Sequence, residues 1–230
     1  MEGCPLAGVT LAASAGYRSP MPPLSTAIVP ALGPWLDLAG LAVFAASGAL
    51  AAAKRGQTFV TLAFFALITG VGGGTVRDLL IDAPVFWVHD ARAAAACLLV
   101  AAAVWVTPER WWRGAALDWF DAVGLAAYAV FGASKAIGFG VPPVPAAVMG
   151  VVTACVGGII RDVLAGEPSI LMRPELYVTA AALAAGLYVA LVLLGAPVAV
   201  AAVVGAAAGF ALRAAALRWG LKLPAYRGRR

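Results

Sequence analysis

The residues best placed to do chemistry are two copies of one dipeptide, Arg77-Asp78 and Arg161-Asp162. Each closes an apolar run and each follows glycines, Gly72-Gly73-Gly74 in the first copy and Gly157-Gly158 in the second. Charges inside apolar segments are costly and mark functional or structural ion-pair sites. Adjacent residues on a helix point about 100° apart, so each arginine is expected to look past its neighbouring aspartate for a partner. Asp37 and Asp121, equally far upstream of their arginines, supply one, giving the expected pairs Asp37–Arg77 and Asp121–Arg161. Clamping of helix ends is the plainer role for the same arginines. Glycine lowers helix stability by about 1 kcal/mol relative to alanine, so the glycine runs are expected to kink or unwind their helices. Carbonyls freed in lipid are tolerated only in protein or against water, which suggests a water-lined cavity. Thr69 and Thr153, just upstream, add hydroxyls, and the carbonyl end of a half-helix carries partial negative charge. That chemistry suits a partly dehydrated monovalent cation. Close helix packing is the alternative use of the same glycines.

These residues repeat because the chain contains itself twice. Residues 35–84 and 119–168 align without a gap, with 19 of 50 positions identical, including Pro84 and Pro168. Lys135 breaks the match: its twin is Ala51. A charge present in one copy alone is a candidate for gating, lipid-headgroup binding or substrate contact, with snorkelling to the interface as the plain alternative.

The elements that must hold these groups are apolar helices. Hydrophobic residues make up 63% of the chain and charged residues 12%, against roughly a quarter charged in a soluble domain. Seven segments approach the 20 or so residues needed to cross a hydrocarbon core: about 35–53, 58–80, 91–107, 118–137, 145–164, 175–194 and 197–217. The fold class read from this is an all-α membrane protein with two inverted three-helix repeats (35–107 and 118–194) and a seventh helix (197–217). Three crossings are an odd number, so the second repeat enters the membrane upside down and a pseudo-twofold axis lies in the membrane plane. Gly205 and Gly209 on the seventh helix permit tight packing against the repeats or another subunit.

Residues 1–32, rich in proline, are read as a flexible tail, and 220–230 as a basic tail flanking a domain over 33–219. The net charge of +5 collects on one face: Lys54, Arg55, Arg110, Arg113, Arg173, Arg218, Lys222, Arg227, Arg229 and Arg230. By the positive-inside rule the N-terminus lies outside and the C-terminus in the cytoplasm, across the cell membrane. The basic end lacks interleaved aromatics, so it is read as an anchor at anionic lipid and not as a nucleic-acid site. Cys4, Cys97, Cys155 and the lone His89 have no metal-ligand spacing.

The doubled unit, the two Gly-Gly-x-x-Arg-Asp segments at 73–78 and 157–162, Ser47-Gly48, Phe131-Gly132, Lys135 and the lone seventh helix resemble the prokaryotic branch of the trimeric intracellular cation channel family, also described as a glycine-transporter domain. The resemblance covers about residues 33–219. It implies a homotrimer with one hourglass pore per subunit, kinked second and fifth helices, and potassium permeation with weak selectivity over sodium. No cofactor is implied beyond the permeating K+ or Na+, with a bound lipid compatible. In animal members a lysine in a Lys-Glu-Val motif helps bind an inositol lipid; here Lys135 is followed by Ala136-Ile137, so the lysine carries over without the glutamate. A secondary transporter for a small amino acid fits inverted repeats as well. An enzyme would need acids, bases or nucleophiles that the spans do not supply.

Overall fold

The computed structural model describes residues 29–108, 111, 115–172 and 175–224. The calls on 1–28 and 225–230, and the basic residues Arg110, Arg113, Arg173, Arg227, Arg229 and Arg230, lie outside the described residues, as do the side chains of 29–37. Among the described residues seven α-helices form: α1 (Val29–Ala53), α2 (Phe59–Leu80), α3 (Ala91–Val106), α4 (Ala116–Gly138), α5 (Pro143–Ala165), α6 (Val178–Leu193) and α7 (Val198–Trp219). Among the described residues the only β-structure is one isolated bridge, Glu175 to Lys222, which ties the α5–α6 connection to the segment after α7. α1 starts before the expected position, so the segment read as a tail over 1–32 ends in helix.

Local chemistry sets the helix ends. Thr58 caps α2 by accepting from the Thr61 N–H, and Asp90 caps α3 through the Arg92 N–H. Pro143 opens α5, where a missing N–H costs nothing, and Gly166 and Gly220 end α5 and α7 in the left-handed conformation. α2, α4, α5 and α7 are long and apolar enough to cross a membrane. α3 and α6, at 16 residues, reach about 24 Å.

The packing follows the repeat. α1 meets α4 and α2 meets α5 at the centre, while α3 lies against α1 and α2 as α6 lies against α4 and α5. Twins that touch each other must straddle the pseudo-twofold axis. Phe44 and Tyr128, 84 positions apart, do so edge to face with centroids 5.2 Å apart. Between these helices the core is largely alanine, among them Ala45, Ala49, Ala129, Ala133 and Ala185, because lipid tails are as apolar as leucine and close van der Waals contact must hold the bundle. α7, without a twin, presses on α6 through Gly205 and Gly209. A Cβ at either position would come within 2.9 Å of an α6 carbonyl oxygen.

Candidate functional site

α2 and α5 cross at the centre through their glycines. A Cβ on Gly157 would stand 2.5 Å from the Thr69 carbonyl oxygen, and one on Gly73 would overlap the Thr153 carbonyl oxygen. Gly72 faces Ile160, Gly74 the Phe86 ring, and Gly158 the Tyr177 hydroxyl. Neither helix is unwound here: both run uninterrupted through the glycine runs. The expected freeing of carbonyls is therefore corrected. The glycines let two backbones touch, and the intrahelical ladder still satisfies the carbonyls, which in lipid would be costly to release. Thr153 Oγ1 donates to the Met149 carbonyl at 2.6 Å, while Thr69 Oγ1, also buried, has no partner among the described residues.

Beyond this crossing lie two ion clusters at opposite ends of the bundle. In the first, Asp78 Oδ1 accepts from Arg77 Nε at 2.9 Å and Nη2 at 2.8 Å, and from Lys135 Nζ at 2.8 Å. Its Oδ2 accepts the Phe86 N–H at 3.1 Å. In the second, Asp162 Oδ1 accepts from Arg161 Nε at 2.9 Å and Nη2 at 2.8 Å, and Oδ2 accepts the Ile170 N–H at 2.8 Å. Phe86 and Ile170 are themselves 84 apart, so the duplication is kept down to single hydrogen bonds. The expectation that each arginine must look past its neighbour is corrected in part: both bind the adjacent aspartate, and Arg161 reaches Asp121 as well. A long arginine stem spans the 100° step that a short aspartate cannot, and the aspartate also ties down the chain eight residues on, where a connection would otherwise leave an N–H unpaired.

The arginines reach further as well. Arg161 Nη1 donates to Asp121 Oδ1 at 2.6 Å and to Ser47 Oγ at 3.1 Å, so the Asp121–Arg161 pair is present and wholly buried. Arg77 stacks over Phe131, 5.2 Å from its centroid, and Phe131 is the twin of Ser47. Arg77 Nη1 has no partner among the described residues, and the Asp37 side chain lies outside them. Lys135 does not snorkel. It sits in the last turn of α4, 21% exposed, on Asp78 and 6.0 Å from the Phe86 and Phe139 centroids.

One cluster has no counterpart in the sequence reading. Arg213 of α7, 1% exposed, donates to Glu175 Oε2 at 2.8 Å and lies 5.3 Å from the Tyr177 ring centroid, joining α7 to the second ion cluster. An arginine inside the apolar run of α7, ahead of Arg218 in its last turn, was the available signal. No group of three or more His, Cys, Asp or Glu that could hold a metal ion occurs among the described residues.

Inverted three-helix repeats, a backbone-tight central crossing and charges confined to its two ends define a multi-pass membrane protein of transport architecture. A family model described as "Glycine transporter" matches twice, at residues 34–109 and 118–193. The chain is 38% identical over 196 residues to the Escherichia coli K12 inner membrane protein YadS, covering 84% of this chain and 95% of that one. It is 34% identical over 197 residues to a Vibrio cholerae membrane protein, covering 83% and 81%. Among solved structures it resembles the trimeric intracellular cation channel orthologue of Rhodobacter sphaeroides, with 44% identity and a TM-score of 0.78 over 83% of this chain and 99% of that one. A second channel structure, described in terms of conductance through such cation channels, shares 28% identity at a TM-score of 0.75 over 86% and 98%. The chain belongs to this glycine-transporter family, the family of the trimeric intracellular cation channels.

Proposed function

We propose that this chain is a homotrimeric, potassium-permeable monovalent cation channel with one pore per subunit. The observation that carries the reading is the mirrored pair of ion clusters flanking the α2–α5 crossing, in a fold shared with proteins described as cation channels. Charges buried at both ends of one crossing in a membrane protein mark functional ion-pair sites and suit passage of a small ion. The Asp37–Arg77 pair expected from the sequence belongs to this proposal, as the counterpart of the Asp121–Arg161 pair. Lys135, held on Asp78, is the group that sets current or opening at that end. The glycine–threonine crossing, Thr69 and Gly72–Gly74 against Thr153 and Gly157–Gly158, forms the narrow centre.

The chain sits in the cell membrane with its N-terminus outside and C-terminus in the cytoplasm. Lys54, Arg55, Arg218 and Lys222 gather at the end where exposed Trp105, Trp111, Trp119 and Trp219 also lie, the chemistry of an anionic leaflet interface. Membrane lipid is thus a partner beside the other two subunits. The description of the matching family favours a second reading, a carrier for glycine or another small amino acid. Proteoliposomes loaded with KCl separate the two. Potassium efflux without added amino acid supports the channel, whereas flux that requires glycine supports the carrier. Native mass spectrometry of the purified protein should give a trimer; a monomer would overturn the assembly.

A further inference from the structure

Arg213 lies on α7, the helix without a twin, and is 1% exposed. An arginine buried in an apolar helix is costly, so its contacts have to account for it. They fall on both ends of one short turn. Nη1 donates to Glu175 Oε2 at 2.8 Å, and the guanidinium lies 5.3 Å from the Tyr177 ring centroid. The Tyr177 N–H donates to the Glu175 carbonyl at 2.9 Å, so the two gripped residues form one hydrogen-bonded unit. The backbone of Glu175 also bridges to Lys222, which ties this turn to the segment after α7. From the turn the contacts pass inward. The Tyr177 hydroxyl hydrogen-bonds Asp121, and both lie against α5: a Cβ on Gly158 would stand 2.8 Å from Tyr177 Oη and 3.4 Å from Asp121 Oδ1. Asp121 in turn accepts from Arg161 Nη1 at 2.6 Å. The duplication does not supply this chain of contacts, since the twins of Glu175 and Tyr177 are Ala91 and Ala93.

We propose that Arg213 is a positioning residue for the second ion cluster: by holding Glu175 and the Tyr177 ring it keeps the Tyr177 hydroxyl on Asp121, and so fixes how Asp121 meets Arg161 beside the α2–α5 crossing. That this acts on ion passage rests on the channel reading; that Arg213 places the hydroxyl does not. A planar guanidinium can stack on an aromatic face while its N–H fork takes a carboxylate, which a lysine ammonium on a flexible stem cannot do as well. A tyrosine side chain has only two torsions, so a held ring leaves its hydroxyl little freedom. The hydroxyl donates to a buried carboxylate and offsets part of the cost of keeping that charge out of water. Each cluster thereby recruits a group that its twin lacks. Lys135 reaches Asp78 directly, whereas Arg213 reaches Asp121 through Tyr177.

The placement is read by fluorine NMR of purified protein carrying at position 177 a tyrosine fluorinated beside its hydroxyl. Arg213→Lys should shift and broaden that line. If this variant does not fold, Glu175→Gln, at a side chain 29% exposed, loosens the guanidinium and should do the same. Single-channel recording then reads folded molecules one at a time, so a loss of stability alone leaves unitary current and open probability unchanged. Tyr177→Phe keeps the ring over Arg213 and removes only the hydroxyl; it should change open probability roughly twofold or more, with Arg213→Lys or Glu175→Gln in the same direction. Either one combined with Tyr177→Phe should do no more than Tyr177→Phe alone, because Arg213 acts through that hydroxyl. An unmoved fluorine line, additive double variants, or Tyr177→Phe currents equal to those of a conducting wild type would overturn the positioning role. A moved line in a protein that passes no K+ would overturn the channel reading and leave the placement standing.

Discussion

Alanine at the α2–α5 crossing should destabilise the protein, although alanine is the better helix former. A Cβ on Gly157 would lie 2.5 Å from the Thr69 carbonyl oxygen, where real contacts essentially never fall below 3.0 Å, so the helices must part by about half an ångström. The obstacle is backbone inside a helix, which cannot swing aside as a side chain would. Overpacking of this kind costs about 1–3 kcal/mol, against about 1 kcal/mol gained in helix propensity. A net loss of about 1 kcal/mol for Gly157→Ala lowers Tm by about 2–4 °C in a chain of this size. Gly73→Ala should cost more, because its Cβ overlaps the Thr153 carbonyl more deeply. The double variant should cost less than the sum, since parting the helices for one methyl makes room for the other. Gly138→Ala is the control: nothing lies within 4 Å of its Cβ, so it should hold or raise Tm. Thermal unfolding in detergent reads the series, and bilayer currents of the folded variants should fall with the same ranking. If Gly73→Ala and Gly157→Ala both unfold at or above the wild-type temperature, the backbone contact is not what these glycines serve.

Three further outcomes follow from the clusters and α7. Lys135→Gln leaves Asp78 bound by Arg77 and the Phe86 N–H, so the protein should fold while single-channel conductance or open probability changes. A conductance change should shrink at high salt, and currents equal to wild type at both ionic strengths would make Lys135 an anchor only. Arg161→Gln strands Asp121 and Asp162 in the interior, which for a buried pair costs about 3–5 kcal/mol; size-exclusion recovery of folded protein should collapse, and normal recovery would contradict the charge accounting. Gly205→Leu should force α7 off α6, where a Cβ already comes within 2.8 Å of the Ala184 carbonyl oxygen, and lower Tm more than Gly186→Leu, whose Cβ meets nothing within 4 Å.

The architecture was legible because duplication is a property of the sequence itself. The 84-residue offset fixed which residues are twins, and an odd number of crossings per copy fixed their inversion. Asp121–Arg161 followed from that topology, since a helix that opens at one face meets a helix that ends there. What escaped was set by tertiary distance and side-chain length. Arg77 and Arg161 fold back on their own neighbours, which the angular step between residues does not disclose. The capping of Phe86 and Ile170 by aspartates eight residues earlier depends on how each chain leaves its helix. The glycines read two ways from sequence, and only the nearness of Thr69 and Thr153 carbonyls decides for contact over unwinding. Arg213–Glu175 lies on α7, where no twin exists to draw attention to it.

The central claim is conduction, and single-channel recording of the purified protein in a planar bilayer under a KCl gradient tests it most directly. The account predicts unitary currents without added amino acid, with a reversal potential on the potassium side of zero and altered by Lys135→Gln in size or open time. A silent bilayer, from protein that moves glycine into vesicles in a saturable way, would contradict it.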